Sequence, residues 1–120
     1  MKNNFGWMQL GTSDPQMAKS FYGKLFDWSL TDKMMTPGNG PYTEIDAGNG
    51  PCAGIAQGER KDESHWIPFV NVADIHEYTK KAESLGAKIV VPITALGGDE
   101  GFYCVFVDPT GAVLGLWGPK

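Results

Sequence analysis

Apolar and polar residues alternate from Phe5 to Thr12, and the alternation returns over 65–72, so both segments are expected to be strands. Each runs into a helix signal. In the first, Ser13 or Asp14 can cap the orphan amides and Pro15 suits the first turn. Met17, Ala18, Phe21, Tyr22 and Leu25 then recur at helical spacing. In the second, Asp74 is the expected cap, Ile75, Tyr78, Ala82 and Leu85 form the apolar stripe, and Gly86 suits the left-handed position that ends a helix. The opposite face of that helix carries His76, Glu77, Lys80, Lys81 and Glu83. Three strands are expected after each helix, near 28–33, 42–47 and 52–57, then near 87–92, 102–107 and 112–117. Asp108-Pro109-Thr110-Gly111 is a turn signal between the last two.

The two series are one series repeated. Adding sixty carries Asp14 to Asp74 and Leu25 to Leu85. It also carries the glycine-containing stretch Thr36-Pro37-Gly38-Asn39-Gly40 to Leu96-Gly97-Gly98-Asp99-Glu100. The fold class expected is α+β: two βαβββ modules, about 1–58 and about 64–120, in one domain spanning 1–120. A sheet with a helix on one face leaves its other face uncovered, so two modules gain by curving as mixed sheets around a cavity.

Strand alternation separates the helix-covered face from the cavity face. Requiring the covered face to be small or apolar selects Met8, Leu10, Thr12, Thr43, Ile45 and Ala47 in the first half. In the second half it selects Pro68, Val70, Val72, Tyr103, Val105, Val107, Ala112, Leu114 and Leu116. The other parity is expected to face the cavity. It comprises Trp7, Gln9, Tyr42, Glu44, Asp46, Ala53, Ile55 and Gln57, with Ile67, Phe69, Asn71, Phe102, Cys104, Phe106, Val113, Gly115 and Trp117. Apolar, aromatic walls with a few polar groups are what small-molecule pockets require.

Composition narrows the class further. With 120 residues, 42% apolar and 20% charged, the chain fits one globular domain. Its net charge of -4 is spread without a Lys/Arg stripe, which argues against a nucleic-acid partner. The mixed run Glu59-Arg60-Lys61-Asp62-Glu63 reads as a solvated linker. No apolar segment approaches the about 20 residues that cross a bilayer, and no leader pattern is visible, so the expectation is a cytoplasmic protein with no membrane partner. Cys52 and Cys104 have neither metal-type nor redox-type spacing.

Several segments together resemble the vicinal-oxygen-chelate superfamily, the fold of glyoxalase I, bleomycin-resistance proteins and extradiol dioxygenases. They are Thr12-Ser13-Asp14-Pro15, Ala18-Lys19-Ser20-Phe21-Tyr22-Gly23-Lys24-Leu25-Phe26, Leu85-Gly86-Ala87 and Phe106-Val107-Asp108-Pro109-Thr110-Gly111-Ala112. The ending Gly115-Leu116-Trp117 looks like a glyoxalase-like subgroup related to lactoylglutathione lyase. In metal-using members a His or Glu on the first and last strand of each half binds a divalent ion. The resemblance carries those positions onto Trp7, Ile55, Ile67 and Gly115, or, with a two-residue slip, onto Gln9, Gln57, Phe69 and Trp117. Neither set is suited to a divalent cation, so no metal and no cofactor is expected.

The resulting expectation is a glyoxalase-like protein that binds a small, aromatic or planar molecule without metal, as bleomycin-resistance proteins do. Trp7, Phe69, Phe102 and Trp117 are its stacking walls, Gln9, Glu44 and Gln57 its polar contacts, and Tyr42, Ile55, Ile67, Cys104 and Gly115 complete the lining. The resemblance also implies a homodimer. The alternative is a lyase or isomerase that moves a proton with Glu44 as general base and His65 as a second acid or base, or a metal-dependent enzyme with non-standard ligands.

Overall fold

The computed structural model describes residues 3–34, 41–58 and 64–120. The glycine-containing stretch Thr36–Gly40 and the charged run Glu59–Glu63 lie outside them. The elements are β1 (Phe5–Thr12), α1 (Pro15–Leu25), β2 (Ser29–Met34), β3 (Pro41–Asp46) and β4 (Pro51–Gln57), then β5 (His65–Asn71), α2 (Ile75–Ser84), β6 (Lys88–Ala95), β7 (Phe102–Val107) and β8 (Val113–Gly118). This is the α+β order expected, with one helix after the first strand of each series.

The helix boundaries follow local chemistry. The Asp14 carboxylate accepts from the Met17 amide at 3.0 Å, and Pro15 follows at the start of α1, where a missing N–H costs nothing. The Asp74 carboxylate accepts from both His76 and Glu77 amides, at 3.0 and 3.3 Å. Gly86 takes φ 104 just after α2, a backbone region hostile to a side chain. In the β7–β8 turn, Asp108 accepts from the Thr110 amide at 2.8 Å, the Thr110 hydroxyl at 2.7 Å and the Ala112 amide at 3.0 Å. These bonds, that of the Thr110 hydroxyl foremost, hold the Asp108 carboxyl below its ordinary range.

Trp7–Ile67 form one compact unit. Its strand order is β2-β3-β4-β1, with β1 parallel to β4 and the β2–β3 and β3–β4 pairs antiparallel. Leu10, Ile45, Ala53 and Ile55 form its buried cluster, and Ala18 and Tyr22 of α1 pack against them with Trp28 and Leu30.

Pro68–Lys120, together with the chain start up to Gly6, form the other unit. Its order is β5-β8-β7-β6, with β5 parallel to β8 and the remaining pairs antiparallel. The chain start is tied in by the Asn71 amide donating to the Asn4 carbonyl at 2.9 Å. Val72, Ile75, Cys104 and Leu116 form the buried cluster, flanked by Val70, Tyr78, Ile93, Phe102 and Phe106. Strand β6 pairs irregularly with β7, its register shifting between Ile89 and Val91 and again between Val91 and Thr94, around Pro92.

Candidate functional site

On the helix-free face of Trp7–Ile67, three predicted site residues are joined by hydrogen bonds. The Trp7 indole N–H donates to the Tyr42 hydroxyl at 2.8 Å, and that hydroxyl donates to the Gln9 amide oxygen at 3.2 Å. The register makes this possible. Gln9 sits beside Gly54 and Gly54 beside Glu44, so β1 and β3 flank a strand position with no side chain. The Tyr42 ring lies over that position, and a Cβ at Gly54 would collide with the phenol. Burial, reinforced by the nearby Glu44 charge and opposed by the Trp7 bond, pushes Tyr42 from 10.0 to about 12. The hydroxyl therefore keeps its proton at neutral pH.

Glu44 shares Tyr42's strand parity and pairs with Lys33, Nζ to Oε1 3.0 Å. Its side chain is 21% exposed, so the carboxylate is partly withdrawn from water yet reachable. Predicted aromatic, amide and carboxylate groups thus meet on one face. Asp46, also expected there, instead closes the β3–β4 turn by accepting from the Gly48 and Gly50 amides at 2.8 and 3.2 Å. His65 opens β5 and is exposed, and Ile67 is half-buried.

In the other unit, Phe69 is buried and its ring lies over Gly115, where a Cβ would strike it. The Tyr103 ring meets Phe69 edge to face at 6.1 Å. Trp117 lies opposite Tyr103 in the β7–β8 ladder, and its indole N–H donates to the Glu100 carbonyl at 2.8 Å. This helix-free face is apolar and aromatic.

Two strands are turned over relative to expectation. Ile55 pairs with Leu10 and Thr43 and is packed in the cluster under α1. Gln57 lies on the same parity and donates to the carbonyls of Thr12 and Ser13 at 3.2 and 3.3 Å. Phe102 and Cys104 likewise lie under α2, the Cys104 sulfur 3.4 Å from the Thr79 hydroxyl. Burial pushes the Cys104 thiol up, opposed by that contact, which suits packing rather than nucleophilic work. The cause of both reversals is the same. Apart from Gln57, either parity of β4 and β7 is small or apolar, so hydrophobicity does not choose a face and the neighbour's register does. The residues that take the helix-free face are Cys52, Gly54 and Ala56, and Tyr103, Val105 and Val107.

Ile55 and Gln57 instead line a pocket of about 360 Å³ beside α1, with Gln16, Lys19, Asp32 and Thr43. Asp32 accepts there from Lys19 Nζ at 2.9 Å and from the Thr43 hydroxyl at 2.8 Å. Those two bonds, the lysine's first, lower its carboxyl below the usual range.

The donor chemistry does not fit a divalent ion at the positions carried over by resemblance. Trp7, Ile55, Ile67 and Gly115 supply no suitable lone pair, and among the shifted set Gln9 and Gln57 already have the partners described. Among the described residues, no group of three His, Cys, Asp or Glu side chains is placed to hold a metal ion. Nor is any described helix long and apolar enough to cross a membrane.

Tyr103, Gly54 and Lys33 were not predicted as site residues. The signal for Tyr103 is present in the sequence. Tyr42 and Tyr103 differ by sixty-one positions, as do Gly54 and Gly115, so the repeat lengthens by one residue after the helices.

Comparison with known proteins converges on one family. The model of the glyoxalase/bleomycin resistance protein/dioxygenase superfamily matches residues 4–116. Putative glyoxylase CFP32 of Mycobacterium bovis is 30% identical over 115 residues, 92% of this chain and 44% of that protein. Anthracycline biosynthesis protein DnrV of Streptomyces peucetius is 28% identical, over 92% of this chain and 45% of its own. This chain therefore spans less than half the length of the curated relatives it matches. Among solved structures, a hypothetical protein from Bacillus halodurans (BH1468) superposes with TM-score 0.68 at 11% identity, covering 100% of this chain and 96% of its own. Methylmalonyl-CoA epimerase from Mycobacterium tuberculosis gives 0.66 at 11%, covering 97% and 87%. A Mn(II)-bound glyoxalase from Novosphingobium aromaticivorans gives 0.64 at 15%, covering 98% and 39%. At such identities the structural likeness speaks for the fold alone.

Proposed function

The chain belongs to the glyoxalase/bleomycin resistance protein/dioxygenase superfamily, and on that footing we propose that it is a glyoxalase-related lyase or isomerase, with Glu44 as general base on the helix-free face of residues 7–67. The observation that carries the reading is the grouping of a partly buried carboxylate with a neutral, oriented phenol. Glu44 would take a proton from a carbon next to a carbonyl, leaving an enolate. Tyr42, with its proton retained and its oxygen held by Trp7, would turn that proton from Gln9 to the enolate oxygen. Where the carbon that lost the proton carries a hydroxyl, as in a hemithioacetal, Glu44 would return the proton to the former carbonyl carbon while the hydroxyl proton passes to the enolate oxygen, so the hydroxyl carbon becomes the carbonyl, the product is an isomer and no electrons are gained or lost. No step uses a metal. The name of one matched relative, a putative glyoxylase, supports proton transfer over simple binding.

The test is solvent deuterium exchange, followed by NMR, with a panel of 2-oxoaldehyde–thiol hemithioacetals and 2-substituted acyl thioesters. Wild-type protein is expected to exchange the activated proton of at least one. Glu44→Gln should lower the rate by roughly 100-fold or more, the range of general-base losses, and Tyr42→Phe by a similar or smaller factor. Exchange unaffected by Glu44→Gln would overturn the assignment.

A second reading, binding without chemistry, is favoured by the Trp7–Tyr42 aromatic floor and by the likeness to a protein named for anthracycline biosynthesis. It predicts quenching of tryptophan fluorescence by planar aromatic ligands, lost in Trp7→Leu, with no exchange in any substrate of the panel.

A further inference from the structure

On the helix-free face of residues 7–67 an ammonium lies against the Glu44 carboxylate. Lys33 stands directly opposite Tyr42 in the β2–β3 ladder, as Thr31 stands opposite Glu44, and opposed residues of an antiparallel ladder share a face. From that position Lys33 reaches diagonally, its Nζ 3.0 Å from Glu44 Oε1. The Lys33 side chain is 52% exposed and that of Glu44 21%, so the lysine is the outer partner. The adjacent acid of β2 is turned away. Asp32 lies opposite Thr43 on the other parity, where it accepts from Lys19 Nζ and the Thr43 hydroxyl.

Residues 68–120 show that the ladder does not need this pair. There Thr94 stands opposite Tyr103 just as Lys33 stands opposite Tyr42. Two positions beyond the tyrosine, where the first ladder has Glu44, the second has Val105, which is buried. The Thr94 hydroxyl turns back to donate to the Pro92 carbonyl at 2.8 Å. A tyrosine is kept in both ladders, and the two charges in the first alone. A half-exposed ion pair adds little to stability, so folding does not account for it.

We propose that Lys33 sets the specificity of this site, and that the substrate carries a carboxylate within a few bonds of its acidic carbon, as a 2-oxo acid does. The proposal rests on the reading of Glu44 as general base and names the substrate class for it. A carbon acid reaches Glu44 past the Lys33 ammonium. A neutral substrate displaces that ammonium and gives it no partner in return, which is costly in a site withdrawn from water. A carboxylate supplies the new partner through charge-assisted hydrogen bonds. Lys33 then passes from Glu44 to the substrate, and the freed oxygen faces the acidic carbon. Because Nζ and Oε1 are only 3.0 Å apart, the substrate's carboxylate and acidic carbon must be near neighbours. A 2-oxo acid has this layout, with its carbonyl between the two, placed to receive the Tyr42 hydroxyl opposite Lys33. The net charge of -4 gives the chain no general attraction for anions, so recognition falls to this lysine.

Isothermal titration calorimetry on the full chain tests the proposal with two unreactive probes. One is benzoylformate, a planar 2-oxo acid with no acidic proton beside its carbonyl, and the other is its neutral amide. The wild type is expected to bind the acid roughly 10-fold or more tighter than the amide. Lys33→Met should bring the two affinities together, while Lys33→Arg should keep the preference. Glu44→Gln should tighten the acid alone, because it removes the group that competes for Lys33, an effect that a merely structural pair would not produce. Equal affinities in the wild type, a preference that survives Lys33→Met, or no binding of either probe at millimolar concentration overturns the proposal. Failure of the base is read separately by deuterium exchange. Glu44-dependent exchange without an acid preference removes the substrate class alone, and an acid preference without exchange removes the base while leaving Lys33 as the anion-binding residue.

Discussion

Residues 7–67 and residues 68–120 use the same strand order and the same helix placement, yet finish their helix-free faces differently. In the first, the glycine on the last strand is covered by Tyr42, whose hydroxyl lies between the Trp7 indole and the Gln9 amide. In the second, the equivalent glycine is covered by Phe69, buried and in contact with Tyr103. The outer helix faces differ in the reverse sense, apolar on α1 and charged on α2. The first unit thus has a hydrogen-bonded helix-free face and an apolar outer helix face, and the second an apolar helix-free face and a charged outer helix face. Side-chain choice at a handful of positions separates them.

The largest expected test of this contrast is alkaline titration. Tyr42 holds its proton more tightly in the folded protein, about 12 against 10.0. Its contribution is intact below about pH 10 and is lost as the pH rises toward 12, because the unfolded chain ionises first. The loss amounts to about 2–3 kcal/mol. Urea unfolding from pH 9 to about pH 12 should show that decline in the wild type and a shallower one in Tyr42→Phe. An equal decline in both would remove the burial contrast between the two faces.

Next come the paired glycines. Gly115→Ala drives a methyl into the ring of Phe69, which has little room to move, and should cost about 1–3 kcal/mol. Gly54→Ala meets only the far end of the half-buried Tyr42, so it should cost less while displacing the phenol from Trp7 and altering tryptophan emission. Equal costs with unchanged emission would mean that the two faces are packed alike. The smallest effect is expected at the helix starts, where Asp14→Ala and Asp74→Ala should each lose about 1 kcal/mol. Asp74, which serves two amides, should be the costlier of the two, and the reverse order in thermal unfolding would contradict the cap geometry.

The elements were legible because their signals are local. Asp14-Pro15, Asp74, Gly86 and the Asp108 turn each satisfy backbone groups within a few residues, and nothing distant competes with them. The candidate site was half legible. Trp7, Gln9, Tyr42 and Glu44 were placed on one face because β1 and β3 have one parity that is plainly core, namely Leu10 and Thr12, and Thr43 and Ile45. Strands β4 and β7 have no such asymmetry, so the sequence does not tell that Ile55, Phe102 and Cys104 lie under the helices with Gln57 on the parity of Ile55. A fixed offset of sixty does not reveal this, since the one extra residue before the third strand of the second half reverses every side chain after it relative to the first half. Helix α1 posed the same difficulty in another form. With Met17, Phe21 and Leu25 as apolar as Ala18 and Tyr22, its periodicity marks a helix but not which ridge faces in.

The irregular pairing of β6 has a consequence for the fate of the chain at high concentration. An outermost strand offers a row of unpaired amides on which another chain can begin a fibre. β6 ends its sheet order with Pro92, which has no N–H to offer, inside the second of its two breaks of register, and β2 ends the other order with Asp32 and Lys33 exposed. Both rims are thus poor templates for strand addition. Growth into amyloid is therefore discouraged at these two strands.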